Sequence, residues 1–170
     1  MDARTIIHAL ARNAFAIGGI VAGVSDEQAR WKPTASDWSI LEVINHLYDE
    51  EREDFRTRVD FVLHRPGEDP PGIDPEGWVS ERSYNERDLA ESVQRWLAER
   101  RQSVAWLESL SDANWESAYD HPLGFRLRAG DLLAAWLAHD FLHLRQLTEL
   151  HYAWAREQSK PFTLDYAGDW

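Results

Sequence analysis

Apolar residues recur every three to four positions in four long segments of this chain. The segments cover about residues 5–24, 39–63, 86–110 and 129–157. This spacing is typical of amphipathic α-helices, and no stretch of strand length alternates apolar and polar residues with a period of two. The pattern therefore predicts an all-α protein with four main helices.

The apolar stripe of each segment predicts which side chains face the core. In the first three segments the stripes are Ile7, Leu10, Ala14, Ile17, Val21 and Val24; Ile40, Ile44, Leu47, Glu51, Phe55 and Val62; and Leu89, Val93, Trp96, Leu97, Arg100, Val104 and Leu107. Two members of these stripes, Glu51 and Arg100, are charged. For Arg100 and the adjacent Arg101, we favour pairing with acidic neighbours over binding of an anionic substrate.

Capping residues and helix breakers predict where the helices begin and end. Ser39 and Glu42 have the spacing of a capping box at the start of the second helix. Pro66 and Gly67 are expected to stop that helix, and Asn85 is a candidate cap for the third.

The first segment contains two adjacent glycines, Gly18 and Gly19. Each costs about 1 kcal/mol relative to alanine inside a helix. They therefore indicate either the close approach of another helix or a local break, and we favour close packing.

Two segments lack helical periodicity. The linker at 64–85 is rich in proline, glycine and acidic residues, and it is long enough to cross the bundle, so the second and third helices can run parallel. It is expected either to cover a functional site as a lid or to lie on the surface. The tail at 158–170, with the aromatic residues Phe162, Tyr166 and Trp170, is expected to pack over the bundle or across a dimer.

Length and composition narrow the classes of protein. The 170 residues predict a single domain over 1–170, and no apolar run approaches the roughly 20 residues that span a bilayer. A formal charge of −12 disfavours nucleic acid and anionic lipid as partners. The chain has no cysteine and its N-terminus lacks the pattern of a signal peptide, which fits a cytoplasmic protein.

The main candidates for functional residues are histidines. His139 and His143 share the apolar stripe of the fourth helix, and their spacing of four lets both rings converge on one point, as metal ligands on a helix do. His46 is the best third ligand, although it lies roughly opposite the centre of its own helix's stripe. We therefore expect a site that opens on a cleft between helices. For the pair alone, hydrogen-bonded packing in the core is an equally good interpretation.

Two sequence blocks carry a family resemblance. One runs from Trp38-Ser39-Ile40 through Glu42 to His46-Leu47, and the other is His139-Asp140-Phe141-Leu142-His143-Leu144-Arg145-Gln146. With them the chain resembles, over nearly its full length, the DinB-like or YfiT-like superfamily of metal-dependent enzymes.

The resemblance implies a four-helix bundle with up-down-down-up topology, usually a homodimer. It also implies that His46, His139 and His143 hold a divalent metal. The family often has a further histidine where this chain has Leu142, but that position is not one of the three expected ligands.

Three neutral imidazoles suit Zn²⁺, Ni²⁺ or Fe²⁺ and leave one to three coordination positions open. Such a site can lower the pKa of bound water to about 7 or activate a thiol as thiolate. Gln146 and Asp140 are candidates for hydrogen bonds that support the ligands, and Glu50 is a candidate for proton transfer. The rest of the acidic run at 49–54 is expected to form a solvated helix face.

Two functional hypotheses follow. The first is a metal-dependent enzyme that acts on a small molecule as a hydrolase or, as the resemblance implies for some relatives, as an S-transferase that uses a low-molecular-weight thiol. The second is a non-catalytic metal- or ligand-binding bundle that acts as a stress-associated partner module. An open cleft with convergent polar groups beside the metal would favour the enzyme.

Overall fold

The computed structural model describes residues 2–65, 67–121, 124 and 126–168. Its helices are α1 (Ala3–Ile20), α2 (Asp26–Arg30), α3 (Ile40–Asp49), α4 (Arg56–His64), α5 (Pro75–Glu81), α6 (Leu89–Ser109) and α7 (Ala129–Gln158). A hairpin of β1 (Ala118–Asp120) and β2 (Arg126–Arg128) precedes α7. The positions of Pro66 and Trp170 lie outside the described residues.

The second bundle helix is continuous but not uniform. A wider π-helical turn, Glu50–Phe55, joins α3 to α4 without a break. The predicted capping box is confirmed, because the Ser39 hydroxyl accepts a hydrogen bond from the Glu42 amide and the Glu42 carboxylate accepts one from the Ser39 amide. A π-turn changes the direction in which successive side chains point, and such turns often occur at functional sites.

Side-chain pairs fix the topology of the four-helix bundle. The pairs that join the second helix to α6 are Asn45–Ser92, Glu51–Arg100 and Arg56–Ser103. They advance in the same direction along both helices, so these two helices are parallel. Trp38 lies against His143 whereas Phe55 lies against Trp136, so the second helix is antiparallel to α7. The up-down-down-up prediction is confirmed.

The linker between the second and third bundle helices packs on α3. It contains α5 and a 3₁₀ turn (Tyr84–Glu86), and the Trp78 and Tyr84 side chains are buried. Tyr84 donates a hydrogen bond to Asp49, and Arg82 forms an ion pair with the same carboxylate. Helix α3 is therefore covered on almost every side, which allows polar residues off its apolar stripe to be buried.

Several predicted boundaries were wrong. The first helix ends at Ile20, and the third begins at Leu89 with Asp88 as its cap. Asn85 instead accepts a hydrogen bond from the Ser39 hydroxyl. The short elements α2, α5 and the hairpin were missed because each has too few residues to show periodicity.

The expectation of close packing at the glycine pair was also wrong. A methyl group on Gly18 would lie 3.8 Å from the Leu97 side chain, an ordinary contact, and one on Gly19 would meet nothing within 4 Å. Neither glycine breaks α1, which continues to Ile20. Both glycines instead line a surface groove between α1 and α6.

A polar layer crosses the middle of the bundle and separates two apolar clusters. The buried residues of this layer are Asn13, Glu51, Arg100 and Asp140. On each bundle helix the polar residue lies between the segments that supply the two clusters. The candidate histidines of α7 lie at the same level.

Among the described residues of the C-terminal tail, Phe162 and Tyr166 are exposed, so these two side chains do not pack over the bundle of this chain. Within the described part of the chain, no helix combines the length and the hydropathy that crossing a membrane requires.

Candidate metal centre

Three histidines from two helices converge at one point, as the sequence predicted. Nε2 of His139 lies 3.2 Å from Nε2 of His46 and 3.0 Å from Nε2 of His143. Ligands at metal–nitrogen distances near 2.0–2.1 Å lie roughly 3.0–3.4 Å apart in octahedral or tetrahedral geometry. The spacing of the nitrogen atoms therefore fits a small divalent cation bound between them.

Helix geometry explains the convergence. His139 and His143 are one turn apart on the long helix α7, so their rings stack along one face. His46 reaches them from α3, which runs antiparallel to α7 at this level. Its position off the apolar stripe is compatible with burial because the linker covers the remaining surface of α3.

Burial keeps the imidazoles neutral. It lowers the pKa of His46 to about 3, and His143 lowers it further by repulsion between positive charges. Burial likewise lowers the pKa of His139 to about 2, with contributions from His143, His46 and Arg100. Neutral imidazoles offer the lone pair that a metal needs, so the site does not require proton removal at neutral pH.

Gln146 orients one of the candidate ligands. Its Oε1 lies 2.8 Å from Nδ1 of His143, so the Nδ1–H group of His143 donates and the lone pair of Nε2 points to the other two rings. The burial of His143 lowers its pKa, whereas this hydrogen bond and the charge of Asp140 raise it. The structure thus brings Gln146 to the predicted place.

Asp140 does not support the ligands by hydrogen bonds in the way we expected. Both of its carboxylate oxygens accept hydrogen bonds from Arg100 at 2.8 Å, and Asn13 donates to one of them at 3.2 Å. Asp140 acts on the site only through its charge, by raising the pKa of His143. The carboxylate points into the polar layer because the fully buried Arg100 guanidinium requires a partner there.

Arg100 is the centre of this polar layer. Its Nε donates to Glu51 at 2.8 Å and its Nη1 donates to the backbone oxygen of Leu10 at 3.1 Å. The second oxygen of Glu51 accepts a hydrogen bond from the Trp136 indole at 3.1 Å. The prediction that Arg100 pairs with acidic neighbours is confirmed. It was wrong for Arg101, which is exposed and forms no ion pair with the described residues.

Glu50, the third predicted supporting residue, lies one turn beyond His46. Burial raises its pKa to about 8, with help from the neighbouring Asp54 and Asp49. It therefore carries a proton at neutral pH. Its Oε1 and the Nδ1 of His46 are both buried without a hydrogen-bond partner among the described residues.

The acidic run around Glu50 is not the solvated helix face that we expected. Asp49, Glu51 and Asp54 are also buried, and each is matched by an arginine. Arg82 pairs with Asp49, Arg100 with Glu51 and Arg58 with Asp54. These arginines lie on α6, on the linker or in the next turn, so the charge pattern of the run alone could not reveal them.

Trp38 forms one wall of the site, a role that the sequence analysis missed. Its ring stacks parallel to that of His143 at 6.4 Å and lies 4.8 Å from that of His46. An open cavity of about 260 Å³ adjoins the Trp38 side chain. It is lined by Pro33, Asp37, Trp38, Gln146, Glu149, Leu150 and Ala153. The available signals were the position of Trp38 directly before the capping box and its place at the start of the first block of the family resemblance. Leu142 is half exposed, which fits its exclusion from the ligand set.

The chain is similar to known proteins in both fold and sequence. The solved structure of YfiT from Bacillus subtilis, described as a probable metal-dependent hydrolase with an unusual four-helix bundle topology, superposes with a TM-score of 0.78. The two chains are 18% identical, and the match covers 92% of this chain and 87% of YfiT, so the likeness shows the shared fold. No protein with curated annotation gives a significant sequence match. The family model of the DinB superfamily matches residues 10–147, and this chain therefore belongs to the DinB superfamily.

Proposed function

We propose that this protein is a metal-dependent enzyme that acts on a small molecule, with His46, His139 and His143 as the ligands of one divalent metal ion. The convergence of three Nε2 atoms, with neighbouring pairs 3.0 and 3.2 Å apart, carries the proposal. The description of YfiT as a probable metal-dependent hydrolase points the same way.

The arrangement of the three ring nitrogens fits a bound metal ion better than it fits hydrogen-bonded packing of the three imidazoles. Nε2 of His139 faces the ring nitrogens of both other histidines. A neutral imidazole has at most one proton on that atom, so it can donate to only one neighbour. Nε2 of His143 carries a lone pair because its Nδ1–H donates to Gln146. A cation between the three rings satisfies all three lone pairs at once.

Three neutral ligands leave the full charge of a divalent ion and at least one open coordination position. Bound there, Zn²⁺, Ni²⁺ or Fe²⁺ would supply Lewis acidity that stabilises hydroxide or thiolate at neutral pH. Two neighbouring side chains support the site. Trp38 covers the rings of His46 and His143, and the hydrogen bond from His143 to Gln146 fixes the tautomer of His143. Hydrolysis is the activity that we favour.

Thiol transfer is the second candidate, since the same charge that stabilises hydroxide stabilises thiolate. The chain has no cysteine, so the thiol would have to come from a separate small molecule. The cavity beside Trp38 and Gln146 provides space for a substrate. Asp37 and Glu149 on its rim favour neutral or cationic substrates over anionic ones.

The first test is metal content after purification without chelator or nickel affinity steps. We expect about one Zn, Ni or Fe per chain, lost in His46→Ala and His139→Ala while the helical circular dichroism persists. Loss of a ligand should weaken binding more than about 100-fold, because removing even a supporting hydrogen bond costs about 10–100-fold. His64→Ala is the matched control, since His64 pairs with Asp60 away from the site.

A wild-type protein that stays metal-free after reconstitution would contradict the proposal and favour the non-catalytic bundle. If metal binds, assays of the loaded protein separate the two chemistries. Ester and amide panels report hydrolysis, and an electrophile supplied with a low-molecular-weight thiol reports S-transfer. A loaded protein without either activity would leave a metal-binding module.

We also propose that two copies of this chain form a homodimer through the outer face of α1 and α6. This face has a groove of about 510 Å³, lined largely by small and apolar residues: Ala11, Ala14, Gly18, Gly19, Val93, Leu97, Val104 and Ala105. Phe15 stands beside the groove with 83% of its surface exposed. A two-fold axis would place Phe15 of each copy in the partner's groove, and the rim residues Arg101 and Glu108 carry complementary charges.

Phe15→Asp is expected to weaken this dimer at least about 30-fold, the loss typical of a buried aromatic anchor worth 2 kcal/mol or more. Sedimentation velocity across a concentration series measures the dissociation constant. Phe162→Asp, at an exposed aromatic residue of the tail, is the control and should leave the constant unchanged. A monomeric wild-type protein, or a Phe15→Asp variant that dimerises normally, would reject this interface.

A further inference from the structure

Two buried polar atoms beside the candidate metal centre lack hydrogen-bond partners among the described residues. They are Nδ1 of His46 and Oε1 of Glu50, and each of these residues is only 5% exposed. A buried polar atom without a partner costs about 1–3 kcal/mol, so natural proteins keep few of them. Two such atoms on adjacent turns of one helix point to a shared role.

Helix geometry places the two side chains on the same face. The backbone amide of Glu50 donates to the carbonyl oxygen of His46, so Glu50, the first residue of the π-turn, lies one full turn beyond His46. Residues four positions apart on a helix are neighbours on its surface. The Glu50 and His46 side chains therefore lie next to each other on that face.

The carboxyl group of Glu50 also interacts with a second acidic residue, Asp54. Its carboxyl group shares a hydrogen bond with the carboxyl group of Asp54, and such a bond requires a proton on one of them. Asp54 forms an ion pair with the Arg58 guanidinium, and the raised pKa of Glu50 places the proton on Glu50. Glu50 therefore donates to Asp54 through one oxygen, and its other oxygen remains an acceptor.

We propose that Glu50 is a positioning residue of the metal centre, whose Oε1 accepts the Nδ1 proton of His46, directly or through one water, with or without the metal. This bond holds the lone pair of His46 Nε2 toward the ion. Gln146 already has the same relation to His143 through Nδ1. Metal-binding histidines commonly donate their second N–H group to such a partner. The inference rests on the proposed metal site.

The test compares Glu50→Gln with Glu50→Leu. The glutamine amide can accept from His46 and donate to Asp54, so it reproduces both hydrogen bonds, whereas leucine reproduces neither. In Co²⁺ titrations followed by the visible absorption of the bound ion, we expect Glu50→Gln to bind as tightly as the wild type. Glu50→Leu should bind about 10–100-fold more weakly. Glu53→Gln, at the half-buried partner of Arg82, is the control and should not change binding.

A second readout needs no metal. Long-range proton–nitrogen NMR correlations report the tautomer of His46, and we expect Nδ1–H in the metal-free wild type and in Glu50→Gln. Finding Nε2–H in the wild type, equal Co²⁺ affinity in Glu50→Leu, or an equal loss in both variants would overturn the inference. A wild-type protein that binds no Co²⁺ would reject the proposed function, and the tautomer would still decide whether Glu50 orients His46.

Discussion

Arg100→Met is expected to lower the free energy of unfolding by about 3–5 kcal/mol, the loss that follows when one partner of a buried ion pair is removed. Arg100 is 1% exposed, and it holds Glu51 and Asp140 in the middle of the bundle. Without its guanidinium, two carboxylates would remain buried with no opposite charge nearby. Urea unfolding followed by circular dichroism measures the change, with an unchanged denaturant slope.

The adjacent Arg101→Met provides the control, since Arg101 is exposed and its replacement should change stability by less than about 0.5 kcal/mol. Combining Arg100→Met with Glu51→Gln and Asp140→Asn should recover part of the loss, because the unpaired charges disappear. A loss below 1 kcal/mol in Arg100→Met would show that the polar layer contributes little to stability.

The sequence predicted those parts of the fold that local spacing determines. The capping box at Ser39 and the spacing of His139 and His143 depend on residues within one turn of each other, so a helical pattern reveals them directly. The inward position of Arg100 also followed from periodicity. Its partners did not, because Glu51 and Asp140 come from other helices and are 49 and 40 positions away.

The errors about burial on the second bundle helix share one physical cause. Periodicity assumes that a helix has one buried face, but α3 is covered by its bundle neighbours and by the linker. The periodic pattern puts His46, Asp49 and Asp54 on the polar side of the helix, yet all three are buried. The π-turn at Glu50–Phe55 adds to this, since nothing in the local sequence indicates that the helix widens there.

The metal-free protein is expected to be most stable between about pH 6 and pH 7, with losses on both sides. His46 and His139 have a lowered pKa in the folded state, about 3 and 2, whereas an unfolded histidine takes up a proton near pH 6.5. Protons therefore bind the unfolded chain preferentially as the pH falls below about 6.5. Glu50 has the opposite sign, because its pKa is raised to about 8 in the fold, and its contribution is lost as the pH rises from about 4.5 through 8.

Each pKa unit corresponds to about 1.36 kcal/mol, so the two histidines outweigh Glu50 on the acid side and the net loss from pH 6.5 to 4.5 is about 2 kcal/mol. From pH 6.5 to 8.5 the ionisation of Glu50 leaves a net loss of about 1 kcal/mol.

Urea unfolding at a series of pH values measures both the acid and the alkaline loss. Glu50→Gln should remove the alkaline loss while leaving the histidine contribution on the acid side. A stability that is flat from pH 4.5 to 8.5 would mean that these groups are not buried in the forms described. An alkaline loss that persists in Glu50→Gln would assign it to another residue.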